Sequence, residues 1–202
     1  MTPQGTAAGL SATGYLSGLA RTFERVEITD AKGTVFPIDD GIARIVELVL
    51  SLRDGGKALL IGNGGSAAIV SHMHNDLCKA VGVRAVVFNE APFLTALAND
   101  DGYQTVFHRP VGLWADAGDL LIAVSSSGES ENIVKAATLA AEKGCRVLTF
   151  TGFTPANRLR QIGHLNVYVP DPTYGYVEMT HSVVGHCITD FAVAKTKAAA
   201  GR

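Results

Sequence analysis

The sequence predicts an α/β fold, a doubly wound three-layer sandwich with a five-stranded parallel sheet and a helical extension at the N-terminus. Short apolar runs with high strand propensity recur along the chain, and segments of helical composition separate them. Such alternation is typical of βαβ units, in which helices bury the parallel strands on both faces. The five predicted strands are residues 57–62, 84–89, 119–125, 146–152 and 165–170.

Helical segments fill the intervals between these strands and follow the last of them. They comprise residues 42–53, 67–80, 131–143 and 177–199. Ahead of the first strand, apolar side chains from Leu10 to Val26 are spaced as on a helix, and a turn-rich break follows at residues 33–37. We therefore expect residues 1–202 to form one domain, in which residues 1–55 are a helical lead that covers part of the sheet or contacts another subunit.

Composition and charge exclude several classes of partner. The 202 residues are 47% hydrophobic, and 17 basic residues nearly balance 19 acidic ones, for a net charge of −2. Without a cationic excess, we expect neither a nucleic-acid partner nor attraction to an anionic membrane surface. No stretch approaches the roughly 20 apolar residues that span a bilayer, and the N-terminus lacks the pattern of a targeting segment. Cys78, Cys145 and Cys187 lack CxxC spacing and are expected to be reduced core thiols of a soluble cytoplasmic protein.

A glycine-rich turn follows the first predicted strand. Gly62-Asn63-Gly64-Gly65-Ser66 leads directly into a predicted helix, so backbone N–H groups and the Ser66 hydroxyl lie at a helix N-terminus. That arrangement suits an anion such as phosphate. The turn is neither GxGxxG nor GxxxxGK(S/T), which argues against dinucleotide and P-loop sites. An ordinary tight strand-to-helix turn would explain the glycines equally well.

A cluster of serines follows the third predicted strand. Ser125-Ser126-Ser127-Gly128-Glu129-Ser130 also leads into a helix. Helix capping explains one or two of these serines but not the whole cluster. In an open parallel sheet, ligands bind outside the carboxyl ends of the strands, so this loop and the glycine-rich turn should lie side by side. Together they could enclose one phosphate group.

The pairing of GNGGS at one strand end with SSSGxS at another resembles the SIS domain, a family that binds phosphosugars on a flavodoxin-like fold. Over about residues 40–195 the chain is similar to the phosphoheptose isomerase branch, whose GNGGSxxxxxH start and C-terminal HxxxxH both occur here, with His72, His181 and His186 as the histidines. The resemblance also implies a homotetramer with active sites at subunit boundaries. The residues that it implies for contacts to a sugar phosphate are Asn63, Gly64, Ser66, Asp100, Ser125, Ser126, Ser127 and Ser130.

A polar pair on the helix after the glycine-rich turn could bind a metal ion or a polyol. His72 and Asp76 are four residues apart and therefore lie on one face of that helix. The resemblance implies a zinc site of His72, Asp76, Glu178 and His186, where the family usually has His, Glu, Gln and His. Two histidines and two carboxylates suit Zn²⁺, and Ni²⁺, Mn²⁺ or Fe²⁺ would also accept such ligands. Glu178 and His186 are separated by roughly 12 Å of helix rise, so both could reach one ion only by leaning together or with Glu178 outside the helix.

The resemblance further implies the chemistry of an aldose–ketose isomerisation, with sedoheptulose 7-phosphate as the model substrate. Asp76 would abstract a carbon-bound proton, and His186 would move an oxygen-bound proton on the opposite side of the enediol. The metal would polarise the carbonyl oxygen. His186 stands between Val184 and Ile188 in the sequence, where we expect a buried imidazole that needs a partner. Lys79 is the nearest basic residue that could assist phosphate binding.

Two other functions stay open at this point. Some SIS proteins lack the catalytic histidine and act as phosphosugar-binding regulators, including one that associates with the replication initiator, although His186 argues against that function here. Amino-sugar isomerases and etherases share the serine loops, so an enzyme for another sugar phosphate is the second alternative. Asp76 and Glu178 both depart from the family pattern. The sequence therefore does not define the sugar, its stereochemical outcome, the metal or the pathway.

Overall fold

A computed structural model describes residues 11–199 and residue 201, in which helices cover both faces of one seven-stranded sheet. Within these residues the α-helices are α1 (Ala12–Phe23), α2 (Ile38–Ser51), α3 (Gly65–Asp76), α4 (Ala91–Asp100), α5 (His108–Trp114), α6 (Glu131–Glu142), α7 (Arg158–Ile162) and α8 (Tyr174–Ala199). The strands are β1 (Glu27–Asp30), β2 (Val35–Phe36), β3 (Ala58–Gly62), β4 (Ala85–Val87), β5 (Leu120–Val124), β6 (Arg146–Gly152) and β7 (Leu165–Val169). Short 3₁₀ turns occur at Leu52–Asp54 and Tyr103–Thr105, and a π-helical turn follows α3 at Leu77–Val81.

The five predicted strands form the parallel part of this sheet. They are β3 to β7, in the spatial order β7-β6-β5-β3-β4. Every residue of β3 and β5 is buried, as expected for parallel strands that are covered on both faces. The strand order reverses between β3 and β5, because β4 lies outside β3 while β6 and β7 lie outside β5. The carboxyl ends of β3 and β5 therefore form the switch point at which ligands bind in such sheets.

The prediction of a five-stranded sheet with a wholly helical lead is wrong in one respect, because two antiparallel strands extend the sheet beyond β7. β1 pairs with β7, and β2 pairs with β1. In the turn between them, Asp30 Oδ1 accepts hydrogen bonds from the N–H groups of Lys32 and Thr34 at 2.8 and 2.9 Å, and Gly33 adopts φ 79°. The break at Gly33 was visible in the sequence, but strands of four and two residues are too short to produce a recognisable alternating pattern.

Side chains of the central strands alternate between two hydrophobic clusters, one on each face of the sheet. Leu60 and Ile122 contribute to the cluster that α2, α3 and α8 cover. Leu59 and Leu121 contribute to the opposite cluster, which includes residues of α5, α6 and α7. The first helix, α1, packs on α8, where the rings of Tyr15 and Tyr176 are 4.8 Å apart. The three-layer α/β architecture is thereby confirmed.

The structure bears on two expectations from composition, which concern membrane spans and the cysteines. Among residues 11–199, no helix is both long and apolar enough to cross a lipid bilayer. All three cysteines are free thiols, but only Cys145 is buried, while Cys187 is half-buried and Cys78 is exposed. The prediction of core thiols is therefore wrong for Cys78, whose π-helical turn lies at the surface.

His181 is a fully buried histidine on α8. Its side chain is 0% exposed and packs edge-on against Phe150, with ring centroids 5.7 Å apart. The Nε2–H group donates to the carbonyl of Thr151 at 3.1 Å, and Nδ1 has no partner among the described residues. Burial disfavours the imidazolium and lowers the pKa of His181 to about 4, although the hydrogen bond to Thr151 acts in the opposite direction. The side chain is therefore neutral at physiological pH.

We expect His181 to make the fold less stable in acid. Its pKa is about 4 in the folded chain, against an ordinary value of 6.5, so the unfolded chain binds more protons between these values. The free energy of unfolding should therefore be unaffected by this group above about pH 6.5 and fall by roughly 3 kcal/mol as the pH decreases to about 4. Urea unfolding between pH 7.5 and 4.5 should show a smaller acid-induced loss in His181→Gln than in the wild type. His108→Gln, at a half-buried histidine, is the matched control, and equal acid slopes for wild type and His181→Gln would contradict the assignment.

Candidate functional site

The carboxyl ends of β3 and β5 place the two predicted loops next to each other. Gly62 and Val124 are partners at the last register position of the two strands, so residues 63–66 and 125–130 leave the sheet side by side. α3 then covers one face of the sheet and α6 covers the other. A cleft of about 500 Å³ adjoins both loops and is lined in part by Asn63 and Ser130. The juxtaposition predicted from the sequence is present.

The glycine-rich turn brings α3 very close to the end of β3. A Cβ atom on Gly62 would lie 2.7 Å from the backbone of Ser66, so no larger residue fits there. Gly64 is the N-cap of α3 and adopts φ 53° and ψ −122°, and no side chain of the described residues caps this helix end. Ser66 is 4% exposed, in the first turn of α3. The turn thus presents backbone N–H groups and one hydroxyl at the positive end of a helix dipole.

The serine loop is only partly explained by its own hydrogen bonds. Ser125 Oγ accepts from the N–H of Gly128, and Ser127 Oγ accepts from the N–H of Glu129, both at 3.2 Å. Ser126 Oγ is buried and has no hydrogen-bond partner among the described residues. A buried hydroxyl without a partner costs about 1–3 kcal/mol. Ser126 is therefore the serine whose hydroxyl most needs a ligand.

Three other residues that were predicted to contact the ligand are at least partly exposed. Ser130 is half-buried, with its hydroxyl 3.5 Å from that of Ser125. Asp100 is exposed at the end of α4 and accepts a hydrogen bond from the side chain of Asn99 at 2.8 Å. Lys79 is exposed in the π-helical turn after α3.

Sequence analysis missed two side chains that contact Asn63. Asn132, in the first turn of α6, exchanges amide hydrogen bonds with Asn63 at 2.9 and 3.0 Å. Tyr103, in a 3₁₀ turn, places its hydroxyl 3.0 Å from Asn63 Oδ1. Asn132 follows the serine loop in the sequence, and its polar side chain in a helix that faces the sheet was the available signal. Nothing in the local sequence marks Tyr103.

Three side chains of the kind that bind metals meet where α3 lies against α8. Asp76 Oδ2 is 3.4 Å from His72 Nε2 and 3.5 Å from His186 Nδ1, and one ligand atom of each residue lies within 4.8 Å of the other two. Ligands of a tetrahedral zinc ion, bound at about 2.0–2.2 Å, are about 3.4 Å apart. These residues, hereafter the His-Asp-His group, therefore fit Zn²⁺ or a similar divalent ion with a coordination position left open.

The His-Asp-His group is open to solvent. The side chains of His72 and His186 are 54% and 47% exposed, and that of Asp76 is 21% exposed. The prediction that His186 is buried among apolar residues is therefore wrong. Val184 and Ile188 face the core, and with 3.6 residues per turn the residue midway between them points away from it.

Glu178, the fourth predicted ligand, lies at the other end of α3. A Cβ atom on Gly65 would be 2.6 Å from Glu178 Oε1, so this carboxylate covers the first residue of the helix. From Gly65, α3 rises about 10 Å to His72 and about 16 Å to Asp76. Within one chain, Glu178 therefore does not join the His-Asp-His group. The dipole of α3 stabilises its negative charge where it lies.

Known proteins are similar to this chain in both sequence and fold. The SIS domain family matches residues 15–152. A phosphoheptose isomerase of Geobacter sulfurreducens is 35% identical over 156 residues, covering 74% of this chain and 82% of that protein. One of Helicobacter hepaticus is 31% identical over 163 residues, with 77% and 83% covered. The solved structure of a phosphoheptose isomerase from Neisseria gonorrhoeae has a TM-score of 0.78 at 26% identity, covering 89% of this chain and 96% of that one. These matches confirm the resemblance carried by the glycine and serine loops.

We expect His72→Ala to weaken Zn²⁺ binding by more than about 100-fold, since it removes a ligand and even outer-shell changes cost 10–100-fold. Glu178→Gln should change the affinity by less than about threefold, because this carboxylate lies at the far end of α3. Competition with a chromophoric chelator, together with elemental analysis, measures both. His74→Ala is the matched control on the same helix. Full retention of zinc by His72→Ala, or a loss in Glu178→Gln as large as in His72→Ala, would contradict this assignment.

Proposed function

The chain belongs to the SIS domain family and is an isomerase related to the phosphoheptose isomerases, and we propose that it interconverts sedoheptulose 7-phosphate and an aldose heptose 7-phosphate. One observation carries this proposal: α3 bears a phosphate-type turn at its N-terminus and, further along, His72 and Asp76, which meet His186 of α8 in the His-Asp-His group. A phosphate site on one helix, and an acid–base pair formed by that helix and its neighbour, are what isomerisation of a phosphorylated sugar needs.

The spacing along α3 supports a long-chain substrate. Ser66 and His72 are six residues apart, a helix rise of about 9 Å. An extended covalent chain advances about 1.2 Å per bond, so the eight bonds from C1 to phosphorus in a heptose 7-phosphate span about 10 Å by that rule. A triose phosphate, with four such bonds, spans only about 5 Å. A sugar of seven carbons therefore comes closer than a triose to spanning the helix from Ser66 to the His-Asp-His group, in which the proposed base Asp76 lies about 15 Å from Ser66 along the axis.

Asp76 is the proposed base, and His186 is the proposed group that moves the oxygen-bound proton. Asp76 directs Oδ2 at the two imidazoles, while Oδ1 accepts a hydrogen bond from Asn75 at 3.1 Å and faces away from them. The Asp76 carboxylate, placed beside both imidazoles, can take a proton from the carbon next to the carbonyl group of the substrate. His186 directs Nδ1 at Asp76, so Nε2 is the nitrogen left to exchange a proton with the enediol oxygen.

A divalent metal is part of this proposal. His72, Asp76 and His186 would hold it, and when bound it supplies a Lewis acid that stabilises negative charge on the carbonyl oxygen. Because these side chains would both hold the metal and move protons, the reacting carbons would bind at this end of α3. Zinc is the metal that the donor set and its spacing favour.

The phosphate would bind between the glycine-rich turn and the serine loop. Ser66 and Ser126 are 4% and 5% exposed, so their hydroxyls would meet a ligand in a partly dry environment, where hydrogen bonds are stronger. The unpaired Ser126 hydroxyl and the free N–H groups of α3 are donors. A cationic side chain is not needed to bind phosphate in this way, because aligned backbone dipoles attract the anion.

Asp76→Asn and His186→Asn should each slow turnover of sedoheptulose 7-phosphate by about 10² to 10⁴-fold while binding persists, since a positioned acid or base contributes that factor. NMR of the sugar signals in deuterated buffer measures turnover and exchange of the migrating proton together. His74→Asn, outside the His-Asp-His group, is the matched control, and metal content is measured in parallel. If a variant with normal metal content turns over the substrate at nearly the wild-type rate, the substituted residue has no catalytic role. A wild-type protein that binds the sugar without converting it is a regulator instead.

We also propose that four chains assemble, with the sites at subunit boundaries. Large apolar side chains are exposed on both helical layers: Leu16 on α1 at 63% and Phe191 on α8 at 52%, and on the other face Leu113 of α5 at 78%. Two separate apolar surfaces are what a tetramer with two kinds of interface requires. The half-exposed His-Asp-His group lies beside the α8 surface, where a second chain would shield it.

Light scattering should therefore give about four times the monomer mass of 21.2 kDa. Leu16→Glu should lower that mass, because a carboxylate in an apolar interface is costly to desolvate. A wild-type mass of 21.2 kDa at micromolar concentration would contradict the proposed assembly.

A further inference from the structure

The side-chain amides of Asn63 and Asn132 form a pair whose orientation is fixed. Asn63 Nδ2 donates to Asn132 Oδ1 at 3.0 Å, and Asn132 Nδ2 donates to Asn63 Oδ1 at 2.9 Å. The backbone N–H of Ile133 also donates to Asn132 Oδ1, at 3.0 Å. Because an N–H group can bond only to the oxygen of an amide, the contact with Ile133 identifies the oxygen of the Asn132 amide and thereby fixes the orientation of both amides. Asn132 is 3% exposed, so it holds Asn63 from the buried side.

Tyr103 completes the network from the solvent side. Its hydroxyl lies 3.0 Å from Asn63 Oδ1, an acceptor, so Tyr103 must donate its single proton there. Both lone pairs of that amide oxygen are then occupied, by Asn132 and by Tyr103. Asn63 and Tyr103 each keep one group free for a ligand: the second Nδ2 proton of Asn63 and the lone pairs of the Tyr103 oxygen. Tyr103 is 58% exposed and lines the same cleft as Ser130.

We propose that Asn63 and Tyr103 together recognise one hydroxyl group of the sugar chain, and that Tyr103 is a specificity-determining residue. A hydroxyl can accept from Asn63 and donate to Tyr103 at the same time. A phosphate dianion only accepts hydrogen bonds, so it would leave the Tyr103 oxygen without a donor. The pair is therefore complementary to a hydroxyl, while the neighbouring serine loop is complementary to phosphate. This inference rests on the proposed function and adds a second recognition point to the same substrate.

Asn132 acts in this scheme as a positioning residue. It touches Asn63 and the backbone of α6 and fixes which way the Asn63 amide faces. Without Asn132, the Asn63 amide could rotate and present its oxygen to the cleft, which would turn the donor for the sugar into an acceptor. Tyr103 by contrast is exposed, and its ring fills no part of the core. A change at Tyr103 therefore tests the hydroxyl contact without disturbing the fold.

The experiment compares Tyr103→Phe with wild type on sedoheptulose 7-phosphate and on a panel of its monodeoxy analogues. A lost neutral hydrogen bond should lower kcat/KM by about threefold to tenfold. One deoxy analogue should lose more than this factor with the wild type, because it lacks the bonds to both Asn63 and Tyr103. With Tyr103→Phe its loss should be smaller by about threefold to tenfold, since the bond to Tyr103 is already absent, while the losses of the other analogues should be unchanged. The inhibition constant of inorganic phosphate, which probes the serine loop alone, should not change. Tyr15→Phe, the same chemical change on α1, is the matched control.

The outcomes separate this inference from the proposed function. Either of two results would overturn the hydroxyl contact while isomerase activity stands. The first is a kcat/KM of Tyr103→Phe within about twofold of wild type. The second is a loss in Tyr103→Phe that multiplies with the loss of every deoxy analogue, so that no analogue is coupled to Tyr103. If wild type binds the sugar phosphate without converting it, the proposed function fails, and calorimetric dissociation constants replace kcat/KM. A threefold to tenfold weaker binding by Tyr103→Phe then supports the contact, and equal binding overturns it. A wild-type protein that binds none of the panel overturns both.

Discussion

The close packing of α8 along α3 is the contact on which the site depends. A Cβ atom on Gly185 would lie 3.1 Å from the Met73 sulfur, so the Met73 side chain packs closely against α8 where residue 185 has no side chain. His186 is the next residue on α8, and Asp76 lies one helical turn beyond Met73. Beside this glycine, which contributes no functional group, His186 and Asp76 are 3.5 Å apart. A larger residue at position 185 would require the Met73 side chain or α8 to shift by a few tenths of an ångström, next to the residue that brings His186 to Asp76.

The two ends of α3 have opposite electrostatic characters. The N-terminal end offers uncapped N–H groups and a buried serine, while the far end concentrates two imidazoles around one carboxylate. Glu178 adds a negative charge to the N-terminal end, where a neutral amide is usual in the family that this chain resembles. In the proposed site, a phosphate at that end would share the helix dipole with Glu178, so the hydroxyls of the serine loop would have to supply the compensating donors.

The sequence predicted the parallel part of the sheet and the neighbouring loops because both depend on local signals. Short apolar runs identified β3 to β7, and the rule for ligand sites in open sheets placed residues 62–66 beside residues 125–130. His72 and Asp76 were paired correctly because they share one helix. The parts that were missed depend on tertiary contacts. β1 and β2 are stable only through pairing with β7, Tyr103 reaches Asn63 across 40 residues, and the rotation of α8, which buries His181 and exposes His186, is set by what the helix packs on.

The short antiparallel addition to the sheet has a consequence for how copies of this chain can associate. One edge of the sheet is β2, with two residues, and the other edge is β4, with three. Edges this short offer few unpaired N–H and C=O groups, so another chain finds little backbone on which to add a strand. The longer β7 would otherwise present five residues at an open edge, and β1 covers it. The fold is thus protected against strand-by-strand polymerisation, and the proposed assembly would have to use the helical faces, where side-chain shape can specify a closed arrangement.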